Sequence, residues 1–215
     1  MNYQRRVTND ERETRDAERG QMRIGVLSFQ GDFQAHVRAL AEAGAEAVEV
    51  RTRDQLVACD GLIVPGGEST TLLKFLEFDG FTEPLLDFGS KRPIFGTCAG
   101  AILLAKEVEN PAQHSLGLLD IRIRRNAYGR QVDSHTDLCQ SEVLQPAAFE
   151  AVFIRAPIIT RAGEAVRVLA RSGPDPIWVR DGIHWAATFH PELSADRRIH
   201  RMFVDAVRGR GLECH

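Results

Sequence analysis

The chain has 215 residues, of which 43% are hydrophobic and 27% charged, and its formal net charge is -3. This length suits one domain with a full core, and the small net charge gives no electrostatic reason to expect nucleic acid or an anionic membrane as a partner. The chain contains no apolar run that could span a bilayer, no signal-peptide pattern, and only four widely spaced cysteines without a Cys-x-x-Cys pair. We therefore expect a cytoplasmic protein without a disulfide framework, a structural metal or another cofactor.

The first 21 residues are rich in Arg, Glu and Asp and almost lack apolar side chains. Such a segment buries too little surface to offset its ordering entropy, so residues 1–21 are predicted to be a disordered or loosely ordered extension. A domain over residues 22–215 follows. An alternative is that Met22 is the natural start of the protein.

The first part of the domain alternates strands and helices. A buried strand is predicted at Arg23–Phe29, followed by a helix that Asp32 caps and that stops at Gly44. Two further short strands are predicted at Glu46–Val50 and Gly61–Val64. This alternation predicts an α/β fold with a parallel sheet, in which the loops at the carboxyl ends of the strands form the site.

The third strand leads into Pro65–Thr71, a glycine-containing loop. One interpretation is a tight turn in which Ser69 or Thr70 caps the next helix. The other is that a backbone N–H of Gly67 points at a substrate and stabilises a negative charge there. The loop lacks the Gly-Lys-Ser/Thr signature of a phosphate-binding loop.

The next strand ends in Gly96-Thr97-Cys98-Ala99-Gly100, with a helix-forming run after it. This is the cysteine counterpart of the nucleophile elbow, a sharp strand-to-helix turn that exposes a nucleophile. We expect the glycines to supply unusual φ values and to keep bulk away from the sulfur. The helix N-terminus favours a thiolate, and the N–H of Ala99 would be one oxyanion donor. The alternative is that Cys98 is a small buried apolar residue.

The second half is predicted to contain short strands, some of them antiparallel, at Ile121–Ala127, Ser141–Leu144, Ala151–Ile154, Val166–Ala170, Ile177–Val179 and Trp185–Phe189. The basic, polar segment 124–131 is predicted to be a loop. Ser194 is predicted to cap a final helix with one apolar face that includes Ile199 and Phe203.

A histidine and a carboxylate stand together in His190-Pro191-Glu192, between the last strand and the last helix. Such a pair can supply a general base and the group that orients it, and a distant cysteine can complete the set in space. We expect Cys98, His190 and Glu192 to be catalytic. The six other histidines are predicted to be structural: His36, His114, His135, His184, His200 and His215.

These three motifs together resemble those of the class I glutamine amidotransferases, which have a Cys-His-Glu triad. More specifically, I-G-V-L-S-F-Q-G at 24–31, R-N-A-Y-G-R-Q-V-D-S at 125–134 and F-I-R-A-P at 153–157 are similar to the glutaminase subunits of pyridoxal 5′-phosphate synthase. The resemblance runs from Met22 to about Val207. It implies a three-layer α/β sandwich with a mostly parallel central sheet, flavodoxin-like in outline.

The resemblance also implies a reaction, the hydrolysis of L-glutamine to L-glutamate and ammonia. The ammonia would pass to a barrel-shaped synthase subunit within a hetero-oligomer. The family's glutamine-binding positions correspond to Gly67, Glu68, Ser69, Arg125, Ile154 and Arg155. An arginine among them suits the α-carboxylate of an amino-acid substrate.

Two other functions stay open at this point. The chain could be the glutaminase of another biosynthetic synthase, which stimulation by the correct partner would distinguish. It could also be a regulatory subunit that kept the fold and lost the chemistry, although the intact triad argues against this.

Overall fold

A computed structural model describes residues 22–125 and 134–209. The extension predicted at residues 1–21, most of the loop predicted at 124–131 and the last six residues of the predicted domain lie outside the described residues. None of the helices in the described ranges is long and apolar enough to cross a membrane.

The described residues contain strands and helices that we number in chain order. The strands are β1 Arg23–Leu27, β2 Glu46–Val50, β3 Gly61–Val64, β4 Ile94–Thr97, β5 Ala105–Glu109, β6 Leu119–Arg124, β7 Ser134–Gln140, β8 Ala148–Ile154, β9 Ile158–Ala162, β10 Arg167–Ser172, β11 Asp175–Asp181 and β12 His184–Ala187. The helices are α1 Phe33–Glu42, α2 Arg53–Val57, α3 Ser69–Phe78, α4 Thr82–Gly89, α5 Ala99–Leu104 and α6 Arg198–Val207, with a 3-10 turn at Pro191–Leu193.

The main sheet has the strand order β2-β1-β3-β4-β12-β11-β10-β7-β8. From β2 to β12 all neighbouring pairs are parallel, and from β12 to β8 all are antiparallel. A smaller sheet contains β5, β6 and β9. The predicted α/β class is therefore confirmed, with a mixed sheet whose parallel half carries the nucleophile elbow.

Apolar side chains cover both faces of the main sheet. Within β1, Val26 and Leu27 belong to different clusters, because successive residues of a strand point to opposite faces. Leu40 of α1 and Phe203 of α6 pack with Val26, whereas α2 to α5 and the small sheet pack on the other face. Burial on both faces explains why β3 is a continuous apolar run and why β4 is apolar up to Thr97, its last residue.

Several predicted boundaries agree with the structure and others do not. β2 and β3 match their predicted ranges, and Asp32 caps α1 by accepting from the N–H of Ala35 at 3.2 Å. The strand predicted at Ser141–Leu144 is wrong, since these residues form turns, and β7 before them was not predicted. Ser194 does not cap α6, which begins only at Arg198 after the 3-10 turn.

Candidate active site

Cys98 lies at the sharp turn between β4 and α5. Its backbone has φ 49° and ψ -105°, in the left-handed half of φ that residues with side chains rarely adopt. Such a conformation costs about 1–3 kcal/mol and persists only where the surroundings enforce it. One enforcing contact is the N–H of Cys98, which donates to the carbonyl of Ala187 in β12 at 2.8 Å.

The two glycines around Cys98 serve close packing and not unusual φ values, so that part of the prediction is wrong. Neither Gly96 nor Gly100 has a positive φ. A Cβ on Gly96 would lie 2.5 Å from the backbone of Gly100, and one on Gly100 would lie 2.0 Å from the carbonyl oxygen of Val64. The glycines therefore let α5 approach β3 and β4 closely, which sets the angle of the elbow.

His190 and Glu192 approach Cys98 from the loop after β12. The N–H of His190 donates to the carbonyl of Val152 in β8 at 2.8 Å, which fixes the start of the 3-10 turn. The side chains of His190 and Glu192 are 2.7 Å apart, Nδ1 to Oε1, and that of Glu192 is almost fully buried. An anionic carboxylate can only accept, so Nδ1 carries a proton and Nε2 is left for the thiol.

The charges in this group are strongly coupled. Burial opposes a charge on His190, but hydrogen bonds with Cys98 and Glu192 outweigh it and raise the pKa of His190 to about 10. Burial likewise opposes ionisation of Glu192, yet its two histidine neighbours, His36 and His190, lower the pKa of that carboxyl to about 2. The site therefore favours an anionic Glu192 and an imidazole ready to hold the proton of the thiol.

Two other cysteines of the described residues are buried. Burial raises the pKa of both Cys59 and Cys139 to about 11. Buried thiols of this kind are unreactive, because the thiolate is the nucleophilic form. Among the described residues, no group of three or more His, Cys, Asp or Glu side chains is arranged to hold a metal ion.

The glycine loop after β3 lies directly against Cys98 and His190. A Cβ on Gly66 would lie 2.5 Å from Cε1 of His190 and 3.3 Å from Cβ of Cys98. On the other side of the loop, a Cβ on Gly31 would lie 1.9 Å from the carbonyl oxygen of Gly66. The Gln30 side chain donates to the carbonyl of Glu68 at 2.7 Å. The loops after β1 and β3 are thus in close contact.

Gly67 and Ala99 are the two predicted oxyanion donors. Gly67 has φ 140°, a value that disfavours any other residue. Ala99 is the first residue of α5, so its N–H has no acceptor within the helix and is available at the N-terminus. Both residues lie near Cys98: Gly67 follows Gly66, which packs against Cys98, and Ala99 is the next residue after Cys98 in the chain.

Glu68, not Ser69 or Thr70, caps α3. Its carboxylate accepts from the N–H groups of Thr70 at 3.0 Å and Thr71 at 2.6 Å. Arg125 reaches the same loop from the end of β6, donating to Oγ1 of Thr70 at 2.9 Å and lying 3.4 Å from Glu68. The Ser69 hydroxyl lies 3.1 Å from Oε1 of Gln113. Because Ser69 stands between Glu68 and Thr70 in the chain, the contacts of Arg125 with those two residues bring Glu68, Ser69 and Arg125 together.

Ile154 borders Cys98 from the end of β8, and Arg155 follows it in the chain. The thiol of Cys98 lies 3.9 Å from the carbonyl oxygen of Ile154. Arg155 has φ 45°, so the chain turns sharply immediately after this contact. The predicted site residues therefore converge at the carboxyl edge of the parallel strands.

The sequence analysis did not predict that His36, His200 and Thr97 lie next to the site. His36 of α1 lies 3.2 Å from Glu192, Nε2 to Oε2, and also contacts Thr97 and His200. His36 is in the first helical turn after a strand that ends at the active edge, which is a usable signal. His200 interrupts the apolar face of α6 between Ile199 and Phe203, and a histidine in such a place signals a buried polar contact.

The chain is similar to known glutamine amidotransferases. The model of the SNO glutamine amidotransferase family matches residues 26–209. Pyridoxal 5′-phosphate synthase subunit PdxT of Solibacter usitatus is 52% identical over 190 residues, covering 86% of this chain and 99% of that protein. The subunit of the same name from Koribacter versatilis is 53% identical, covering 87% and 96%. A crystal structure of a glutamine amidotransferase is 46% identical with TM-score 0.81, covering 86% and 98%.

Proposed function

The chain belongs to the SNO glutamine amidotransferase family, and from this premise we propose that Cys98, His190 and Glu192 carry out its reaction. The chain is a cysteine-dependent glutaminase, the subunit of pyridoxal 5′-phosphate synthase that hydrolyses L-glutamine to L-glutamate and ammonia. The observation that carries the assignment of residues is the row formed by the elbow thiol, the coupled imidazole and the buried carboxylate.

Cys98 acts as the nucleophile in the first half of the reaction. His190 accepts the proton of the thiol, and the sulfur attacks the side-chain amide carbon of glutamine to give a tetrahedral oxyanion. The N–H groups of Ala99 and Gly67 bind this oxyanion, and one such donor is worth roughly 10²–10³-fold in rate. His190 then donates its proton to the departing nitrogen, and ammonia leaves behind a thioester on Cys98.

Water completes the second half of the reaction. His190 takes a proton from the water, whose oxygen attacks the thioester carbonyl to form a second oxyanion in the same position. Collapse of this intermediate releases glutamate and returns the proton to the sulfur. Proton transfer of this kind contributes typically about 10²–10⁴-fold, and Glu192 keeps the imidazole oriented throughout.

The substrate lies against the loop after β3 and the end of β8. Arg125 supplies a cation for the α-carboxylate of glutamine, and Glu68 offers a carboxylate for its α-ammonium group. Ser69 and the segment Ile154–Arg155 complete the pocket. The existing contact between Arg125 and Glu68 supports this proposal, because it places opposite charges where a zwitterion needs them.

The ammonia passes to the synthase subunit, which is the partner of this chain. We infer that this acceptor is a barrel-shaped protein in a cytoplasmic hetero-oligomer with the glutaminase. A glutaminase of this kind wastes glutamine if it works without its acceptor. We therefore expect the oxyanion hole to be completed by a change of the Gly66–Gly67 peptide when the partner binds, since glycine tolerates either orientation.

A glutaminase assay of the full chain, with and without the synthase subunit, tests these assignments. Cys98→Ala abolishes ammonia release in both conditions while the fold is kept. Cys139→Ala, which removes a buried thiol on β7, keeps turnover and serves as the matched control. Normal ammonia release by Cys98→Ala would overturn the proposal, and equal wild-type rates with and without the partner would overturn the peptide change.

A further inference from the structure

The triad carboxylate contacts a second imidazole that the mechanism above does not use. Oε1 of Glu192 accepts from His190, whereas Oε2 lies 3.2 Å from Nε2 of His36. The side chains of Glu192 and His36 are 1% and 0% exposed. Among the described residues Oε2 has no aligned hydrogen bond, and its polar contact with His36 offsets part of the cost of burying it.

His36 connects this contact to two further buried residues. Its Nδ1 lies 3.0 Å from Nε2 of His200 on α6, and its Nε2 lies 3.1 Å from Oγ1 of Thr97, the residue before the nucleophile. His36, His200 and Thr97 are all fully buried. A row of polar groups thus runs from α6 through α1 to the loop that carries Glu192.

The contacts favour one arrangement of protons over the alternative. If His36 carries its proton on Nε2, it donates toward Thr97 and Glu192, and its bare Nδ1 accepts from the Nε2–H of His200. The opposite tautomer of His36 would put a lone pair against the carboxylate. It would also leave the buried Nδ1 of His200, which has no partner among the described residues, with an unsatisfied proton.

Both histidines are neutral in this arrangement. Burial lowers the pKa of His36 despite the nearby Glu192 and Asp32, with His190 acting in the same direction as burial. Burial, the adjacent His36 and Arg197 lower the pKa of His200 to about 3, although Glu192 acts in the opposite direction. His36 therefore offers Glu192 an N–H group and not a positive charge.

We propose that His36, supported by His200, is a positioning residue that holds the second oxygen of Glu192 so that the first stays aligned with His190. This inference rests on the proposed function of the triad. A carboxylate held at one oxygen can rotate about its Cγ–Cδ bond, whereas one held at both cannot rotate without losing a contact. The two neutral imidazoles thus extend the triad to the opposite helix layer.

The imidazole ¹⁵N chemical shifts of the full chain test the proton arrangement without reference to activity. His36→Gln and His200→Gln assign the resonances. We expect both histidines to be neutral with the proton on Nε2 from about pH 6 to about pH 8. A proton on Nδ1 of His36, or a charged His36 in this range, would overturn the proposal even if His36 variants fail to fold.

Kinetics of three variants with glutamine and the synthase subunit test the positioning role. His36→Leu lowers kcat by about 10- to 100-fold, with little change in KM. This is the range seen when residues that hydrogen-bond to metal-binding side chains are removed. His36→Gln recovers most of that loss, because its amide nitrogen can donate toward Oε2. His184→Leu removes another buried histidine, which contacts Ile94 at the opposite end of β4, and changes stability without this kcat pattern.

The outcomes separate this inference from the proposed function. Wild-type kcat in folded His36→Leu, or equal losses in His36→Leu and His36→Gln, would overturn the positioning role and leave the glutaminase assignment intact. Turnover that survives Cys98→Ala would overturn the triad and, with it, the role of His36.

Discussion

Replacement of His200 by Gln is expected to reduce the loss of free energy of unfolding that occurs when the pH is lowered below neutral. The pKa of His200 is about 3 in the folded chain, owing mainly to burial, against an ordinary value of 6.5. Between these values the unfolded chain binds one more proton than the folded chain, so the free energy of unfolding rises with pH. The contribution of His200 is complete above about pH 6.5 and is lost as the pH falls toward 3.

The size of the effect follows from that difference. When the pH is lowered from about 7.5 to about 5, the unfolded histidine becomes protonated. Roughly 1.5 pH units of this range lie below its pKa in the unfolded chain, and only they change the stability. At about 1.4 kcal/mol per unit, His200 alone removes about 2 kcal/mol of stability over this range. For a chain of this length, this corresponds to a fall of about 4–8 °C in Tm.

Urea denaturation of the wild type and of His200→Gln at both pH values measures this difference. Because His36 also has a lowered pKa, part of the wild-type slope remains in the variant, and the difference between the slopes isolates His200. Met202→Gln introduces an amide into the same helix without removing a titratable group and keeps the wild-type slope. Identical slopes for wild type and His200→Gln would refute the reasoning that His200 is neutral and buried.

Two further predictions concern the walls of the active site. Gly66→Ala places a methyl group 2.5 Å from Cε1 of His190 and lowers kcat by about 10²-fold. Gly80→Ala places its methyl group in open space but at φ 61°, so it lowers stability and keeps kcat. Equal kcat values in both variants would contradict this prediction. Arg125→Gln lowers kcat/KM for glutamine by about 10- to 100-fold, mainly through KM, because a charge-assisted contact is lost. The neighbouring exposed Arg124→Gln serves as its control, and a matching loss there would argue against a specific role for Arg125.

The elements predicted well are those whose local pattern decides their structure. β3 matches because a short apolar run bounded by turn residues is a strong strand signal, and β2 matches as a short segment with two valines between turn residues. β7 was missed because its side chains are mostly polar and exposed, with Cys139 as its buried residue. Its place is set by backbone pairing with β8, which the local composition does not reveal. Val143 and Leu144 are apolar because they pack in a turn beneath the sheet.

The start of the last helix shows a similar limit. Ser194 has the chemistry of a cap, but its hydroxyl accepts from the N–H of Asp196 at 3.1 Å, and the carboxylate of Asp196 accepts from Arg198 at 2.9 Å. Two successive side-chain turns thus delay the start of the helix by three residues, from the position after Ser194 to Arg198. Competition between such local hydrogen bonds is not resolved by residue type alone.

The candidate site was predictable where its residues form short motifs and was not where they meet only in space. Cys98, His190 and Glu192 each stand in a recognisable segment. His36 and His200 are 164 positions apart, and their contact exists only because α1 and α6 cover the same face of the sheet. A histidine in an apolar pattern signals burial but does not reveal its partner.

The backbone of Cys98 has a consequence for how stability and activity are balanced in this protein. Its positive φ belongs to the position and not to the thiol, so the unfavourable conformation persists when the sulfur is removed. Glycine at position 98 would relieve the backbone strain and make the protein more stable, but it would remove the thiol. The chain is thus less stable than its own architecture permits, at the residue that we propose as the nucleophile.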